Sequence, residues 1–265
     1  MRQQGPGRTS TALAYLAMLF LLLPLFAVIP VSFTGKRFLS MPEGDWSLRH
    51  YQALAESSEW LGSIGTSLVI ALIAAVISTV LATSFSLGIW YRRSRLTPLL
   101  IGFVLLPMAV PPIISALVLY FFETGANLYD TIPGVIIAHV VIAVPYAVVT
   151  LLVSLSQLDR RIELAARNLG ASVWQTSFLV ILPNLKLGLV SAAFLSFILS
   201  WEEIAVTLFV TSFEVITLPR RIWSGLRDNI DPVIAAVSVV LIAVTVSAIV
   251  IRLIVQAQRG RGVEQ

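Results

Sequence analysis

The chain has 265 residues, of which 57% are hydrophobic and only 12% charged, a composition that excludes an ordinary water-soluble domain. It contains no cysteine, which excludes a disulfide framework, a thiolate metal site and a cysteine nucleophile. The formal charge of +4 lies between long apolar runs, so its distribution speaks of membrane topology and not of a nucleic-acid face.

A spanning helix needs about 20 apolar residues. Six runs qualify, at 12–32, 67–90, 99–122, 132–153, 187–210 and 233–255. With the N-terminus inside, Arg2, Arg8, Arg92, Arg93, Arg95, Arg160, Arg161, Arg167, Lys186, Arg252, Arg259 and Arg261 are cytoplasmic. Lys36, Arg37, Arg49, Arg220, Arg221 and Arg227 are outside. The positive-inside rule therefore places both termini, and the segment 158–183, in the cytoplasm.

The first run has no small-x-small cleavage site after it and reads as a retained anchor helix, not a signal peptide. The second is rich in Ala, Ser and Thr, small residues that let membrane helices pack closely, and closes on Trp90-Tyr91-Arg92-Arg93. The third carries Pro107, Pro111 and Pro112, which free backbone carbonyls and predict a bend or break. Such backbone is tolerated only against protein or a watery cavity, so Pro111 and Pro112 are candidates for lining a pathway. A short acidic loop with Glu123 and Asp130 leads to the fourth run, where His139 predicts a hydrogen bond between helices.

Residues 158–183, LDRRIELAARNLGASVWQTSFLVILP, are the one long mixed interruption that carries both basic charge and clear helix punctuation. Leu158, Ile162, Ala165, Ala166 and Leu169 recur at helical spacing, opposite Arg160, Arg161, Glu163 and Arg167. Glu163 stands four residues before Arg167, the favourable order for a helical ion pair. Gly170 tolerates the left-handed conformation that ends a helix, and Ser172 with Gln175 has capping-box spacing that restarts one. Pro183 marks a bend or an end. The pattern predicts a helix–turn–helix hairpin on a membrane surface.

In the fifth run, Trp201-Glu202-Glu203 places two carboxylates at membrane depth, where they face the bundle interior, water or a partner charge. Neighbouring helix positions point about 100° apart, so the two cannot serve one small site equally. Glu203 is the favoured contact for a cationic substrate, with Trp201 as a cation–π face. The competing reading is a structural ion pair with Arg220, Arg221 or a partner chain. The outer segment 212–232 contains Pro219 and Gly225, which break it before the sixth run.

Ala165-Ala166, Gly170 and Val180-x-Leu182-Pro183 resemble the "EAA" loop of ABC-importer permeases. The family's glutamate position falls on Leu164, with the acid one place earlier at Glu163. LLPMAVPP, AHVVIAVPYAVV and TLPRRIWSGLRD look like the spermidine/putrescine branch of these permeases. The resemblance implies an all-α membrane protein, the type I ABC-importer permease fold, in which six transmembrane helices form one permease domain over 1–265 with a cytoplasmic coupling hairpin. It implies that Glu163, Ala165, Ala166, Gly170, Leu182 and Pro183 dock into a cleft of the ATP-binding subunit.

The partners implied are an ABC ATP-binding subunit dimer, a second related permease forming a heterodimer, and a periplasmic or extracellular solute-binding protein, all at a bacterial inner membrane. The implied solute is a polyamine or similar organic cation, with an opine or an aminophosphonate as alternatives. No enzyme activity and no cofactor are expected of the chain itself, because ATP and Mg belong to the partner ATPase. Gly35-Lys36 is no phosphate loop, since Pro30 and Arg37 stand where glycine and Ser or Thr are required. An ion-coupled secondary transporter would show internal repeats, and none is visible. A membrane enzyme would need paired aspartates or zinc-spaced histidines at membrane depth, and the sequence has neither.

Overall fold

The structure, a computed structural model, describes residues 8–92, 94–228 and 230–261. Arg2 and Arg93, counted above in the charge asymmetry, lie outside the described residues. The described chain is helical, and its only β pairing is an isolated bridge between Thr34 and Trp46. It divides into two compact units, one formed by residues 1–61 with 222–265 and the other by residues 62–221.

The first unit holds α1 (Arg8–Ser32), α2 (Arg49–Glu56) and α13 (Val233–Arg261). Helix α13 packs against both α1 and α2. After α1 the chain turns back through an aromatic knot, with Phe33 5.3 Å from Tyr51 and 6.2 Å from Trp46 between ring centres. The Ser32 and Tyr51 hydroxyls are 2.6 Å apart and close the corner.

The second unit is threaded by most of α3 (Ser58–Tyr91). Its small residues are buried as their type predicts, Ala71, Ala74, Ala75, Ser78, Ala82 and Ser86 among them. Ile70 joins one core cluster with Ala116, Leu119, Val135 and Val206. Ala82 joins a second with Ala147, Val148, Leu151 and Ala192. Trp90 joins a third with Leu155, Ile181 and Leu185. Helix α6 (Ile132–Ser156) pairs with α10 (Lys186–Trp201) and with α4 (Thr97–Ala109), while α5 (Pro112–Gly125) pairs with α11 (Ala205–Val210).

Among the described residues four helices are long and apolar enough to cross a membrane, and the number is six if each of two bent pairs is counted as one span. The third expected span, 99–122, is not one helix. Helix α4 stops at Ala109, Val110 and Pro111 are extended, and α5 departs at 101°. Pro111 cannot donate to the preceding turn, and the residue before a proline is pushed out of the helical region, so the break falls where the Pro111-Pro112 pair demands it. The fifth expected span, 187–210, also differs. Helix α10 ends at Trp201, Glu202–Ile204 leave the helix, and the six-residue α11 follows.

Glu123 belongs to no loop. It lies in the last turn of α5 and is fully buried, beside Gly134 of α6. Asp130, which is in the loop, has a left-handed backbone (φ 57°) of the kind Asp tolerates. Its carboxylate accepts four successive backbone N–H groups, from Ser212, Phe213, Glu214 and Val215, at 2.8–3.1 Å. Leu218 N, at the head of α12 (Leu218–Asp228), donates to Ser67 Oγ of α3 at 2.7 Å.

Candidate functional site

The hairpin forms as its caps dictate. Asp159 accepts from Arg161 N at 2.9 Å and opens α7 (Arg160–Asn168). At the other end Gly170 takes φ +88°, its N–H donating to Arg167 O at 3.0 Å and that of Ala171 to Ala166 O at 3.1 Å, the paired bonds of a Schellman stop. Ser172 and Gln175 complete a reciprocal capping box, with bonds of 2.8 and 3.2 Å, and start α8 (Val173–Thr176).

Past Thr176 the backbone widens to a π turn over Ser177–Ile181 before α9 (Leu182–Asn184). Pro183 has no N–H for the carbonyl four residues before it, and a π turn is one way a helix absorbs that loss. Asn184 Nδ2 donates to Val180 O at 2.7 Å, satisfying one of the carbonyls left over. The segment Val173–Asn184 meets α10 at 74°, so the bend read from Pro183 is present and falls between Asn184 and Lys186.

None of α7 is buried within the chain. Leu169, at the tip, is 89% exposed, and Leu164, Val173 and Trp174 are exposed beside it. Ala165 and Gly170 are exposed and Ala166 is half-buried, so the stripe of small residues is open to a partner. Leu182 is half-buried and lines a cavity of about 490 Å³ with Thr83, Tyr91, Trp174 and Phe178, while Pro183 is exposed.

Glu163 departs from expectation. It forms no ion pair with Arg167. Its carboxylate turns inward and accepts the Trp90 indole N–H at 2.7 Å. Arg160, one turn earlier on the same face, places its guanidinium 4.5 Å from the Trp90 ring centre and donates to the Trp90 carbonyl at 3.1 Å. Trp90 was read from sequence only as the close of a span. The nearest signal of its role was its place beside Arg92 at the end of α3.

Pro111 and Pro112 are exposed at the break between α4 and α5. Glu203, the favoured substrate contact, is engaged. It accepts from Val206 N at 2.9 Å and caps α11. Among the described residues neither it nor Glu202 forms an ion pair with Arg220, whose guanidinium donates to Thr211 Oγ1. Glu202 is exposed, and half-buried Trp201 stacks on Phe197 at 5.9 Å. Below them His139 makes the expected inter-helix bonds, to Ser200 Oγ at 2.7 Å and Thr207 Oγ1 at 3.1 Å.

On the loop side, burial alone would push the Asp130 carboxyl up, but its four backbone donors outweigh burial and hold it below its ordinary value. Arg220 donates to Thr211 Oγ1 nearby. Among the described residues no group of three or more His, Asp or Glu could hold a metal ion.

Residues 81–260 match the family described as binding-protein-dependent transport system inner membrane component. The chain is 28% identical to the putrescine transport system permease protein PotI of Escherichia coli K12 over 86% of its own length and 83% of that protein's. It is 27% identical to the spermidine/putrescine transport system permease protein PotC of Haemophilus influenzae, over 91% and 93%. It is 31% identical to a probable molybdenum ABC transporter permease protein of Haloferax volcanii, over 68% and 71%. Its fold is similar to that of a chain in a bacterial ABC transporter involved in the import of the acidic polysaccharide alginate. That match has a TM-score of 0.71 at 15% identity and covers 92% of this chain and 94% of that one.

Proposed function

Because the chain belongs to the family of binding-protein-dependent transport system inner membrane components, and is a permease subunit of an ABC importer, we propose that its solute is a polyamine or a similar organic cation. We further propose that the hairpin 158–183 is the face gripped by a cytoplasmic ATPase, in a complex with a second permease and a solute-binding protein. The observation that carries the docking assignment is the apolar tip around Leu169. Its backbone is capped at both helix ends, yet none of the described residues covers it. An exposed apolar patch on a rigid support marks an interaction surface. ATP binding that draws two such hairpins together would turn the pathway from inward-facing to outward-facing.

Within the pathway, Glu202 replaces Glu203 as the carboxylate proposed to meet the cation, because Glu203 is committed to its helix cap. The similarity to a molybdenum permease favours a second reading, in which the solute is an oxyanion. An exposed carboxylate at the break after α10 repels such a solute, which sets the two readings apart.

The test is uptake of labelled putrescine and spermidine into proteoliposomes carrying the whole complex, with and without ATP, for the unaltered chain and for Glu202→Gln. ATP-dependent amine uptake that weakens in Glu202→Gln, at unchanged assembly, is the expected result. Absence of amine uptake despite ATPase activity stimulated by the binding protein would discard the polyamine. ATP-dependent uptake of labelled molybdate into the same proteoliposomes would put the oxyanion in its place.

A further inference from the structure

We propose that Trp90, Glu163 and Arg160 form a mechanical joint that ties the hairpin to α3, so that α3 moves with the docked ATPase together with the helices the chain connects to the hairpin directly. The inference rests on the importer reading above and extends it to a helix that is distant from the hairpin in sequence.

Three contacts converge on one residue. The indole N–H donates to a carboxylate, a charge-assisted bond that is short at 2.7 Å. The guanidinium of Arg160 covers the ring face at 4.5 Å, within cation–π range. The same guanidinium donates to the Trp90 carbonyl, one of the last four of α3, which have no partner inside their own helix. A cation at that end also complements the helix dipole. Arg160 and Glu163 are three residues apart on α7 and therefore present one face. The next residue of α3 repeats the arrangement on the other limb, where the Tyr91 hydroxyl and Ser177 Oγ hydrogen-bond at 3.0 Å at the head of the π turn. Trp90 itself is buried, with Leu155, Ile181 and Leu185 in its cluster, so the polar contacts sit on a packed base.

The far end of α3 gives the joint its use. From Trp90 the helix runs past Ala82 and Ile70, one in each of the other two core clusters, to Ser67, which holds Leu218 N of the outer segment. That is a rod of about 34 Å at 1.5 Å per residue. A displacement of α7 is thus delivered along α3 to the clusters that hold α6 with α10 and α5 with α11.

The test uses the reconstituted importer and reads solute transported per ATP hydrolysed. In Trp90→Phe, which keeps the ring but loses the N–H, and in Glu163→Ala, that ratio is expected to fall at least threefold while the ATPase still copurifies. Glu163→Gln, which keeps an acceptor oxygen, is expected to restore the ratio to within twofold. The double variant is expected to be no worse than the poorer single one, since both remove one interaction. Spin labels at Val76→Cys and Arg161→Cys, in a chain with no native cysteine, report the movement directly. Their separation is expected to hold between ATP-free and ATP-bound states in the unaltered joint and to change or broaden in Trp90→Phe. Unchanged ratios in both Trp90→Phe and Glu163→Ala, or a label separation indifferent to Trp90→Phe, overturn the joint and leave the importer reading standing. An unaltered complex that never retains an ATPase overturns that reading and the joint with it.

Discussion

The hairpin over 159–184 and the turn over 211–217 are both irregular backbone held in place by capping, and they differ in how far the caps reach. In the hairpin, Asp159, Gly170, Ser172 and Gln175 each act within five residues of themselves. In the turn, the four N–H groups of Ser212, Phe213, Glu214 and Val215 point at a carboxylate more than 80 residues earlier in the chain. A locally capped element keeps its shape when its neighbours move, as a part passed between conformations must. An element cinched from afar keeps its shape only while both segments stay in register, so it records whether the end of α5, the start of α6 and the end of α11 are assembled.

The comparison is broken most directly at Asp130. Asp130→Ala strands four backbone donors, and hydrogen bonds to a charged group are the stronger kind, so a loss on the order of 3 kcal/mol is expected. Thermal unfolding of the purified complex should show it, and proteolysis should then cut near Phe213, which is 87% exposed at the tip of the turn. The pH dependence has a fixed sign. The folded-state carboxyl titrates below its ordinary value, so its stabilisation is complete above the usual aspartate range and is lost only as pH falls through the lowered value. Hydrogen exchange at residues 212–215 should therefore stay protected from neutral pH into the ordinary aspartate range and open only under stronger acid.

Gly170→Val comes next. It forces a β-branched side chain into φ +88°, costing about 1–2 kcal/mol, and should lower the Tm and shed the ATPase on copurification. Ser172→Ala removes one cap for about 1 kcal/mol and should loosen α8 without disturbing the 211–217 turn. Leu169→Asp has the smallest expected effect on stability, within about 0.5 kcal/mol, because its side chain touches little. It should nevertheless release the ATPase. Retention of the ATPase in Leu169→Asp would move the docking surface away from the tip.

The same contrast in reach explains what could be read from the sequence. Gly170, Ser172–Gln175 and the Pro111-Pro112 break were legible because each acts on its own backbone. The partner of Glu163 was not legible: Arg167 is the local solution, and Trp90, which takes its place, is 73 residues away. The cap made by Glu203 was not legible for a related reason. At membrane depth a carboxylate suggests a ligand, but α10 ends two residues before it, and the free first-turn amide of Val206 in α11 donates to one of its oxygens. Glu123 looked like loop because it follows Phe122 at the end of an apolar run, whereas α5 carries it one turn further into the interior. Tertiary contacts decide each of these, and no periodicity reports them.

The His139 contacts have a direction. Thr207 donates its single hydroxyl proton to the Glu203 carbonyl at 3.1 Å and has none left for the ring. In a neutral imidazole, Nε2 must then carry the proton and donate to Thr207, which leaves Nδ1 to accept from Ser200. The chain of bonds runs one way, from Ser200 through the ring and Thr207 to the Glu203 carbonyl, in the break between α10 and α11. A replacement at 139 must offer an acceptor toward α10 and a donor toward α11. A carboxamide can offer both, while an aromatic hydrocarbon of similar size would leave the buried Ser200 hydroxyl without its acceptor and Thr207, still bonded to the Glu203 carbonyl, without its donor.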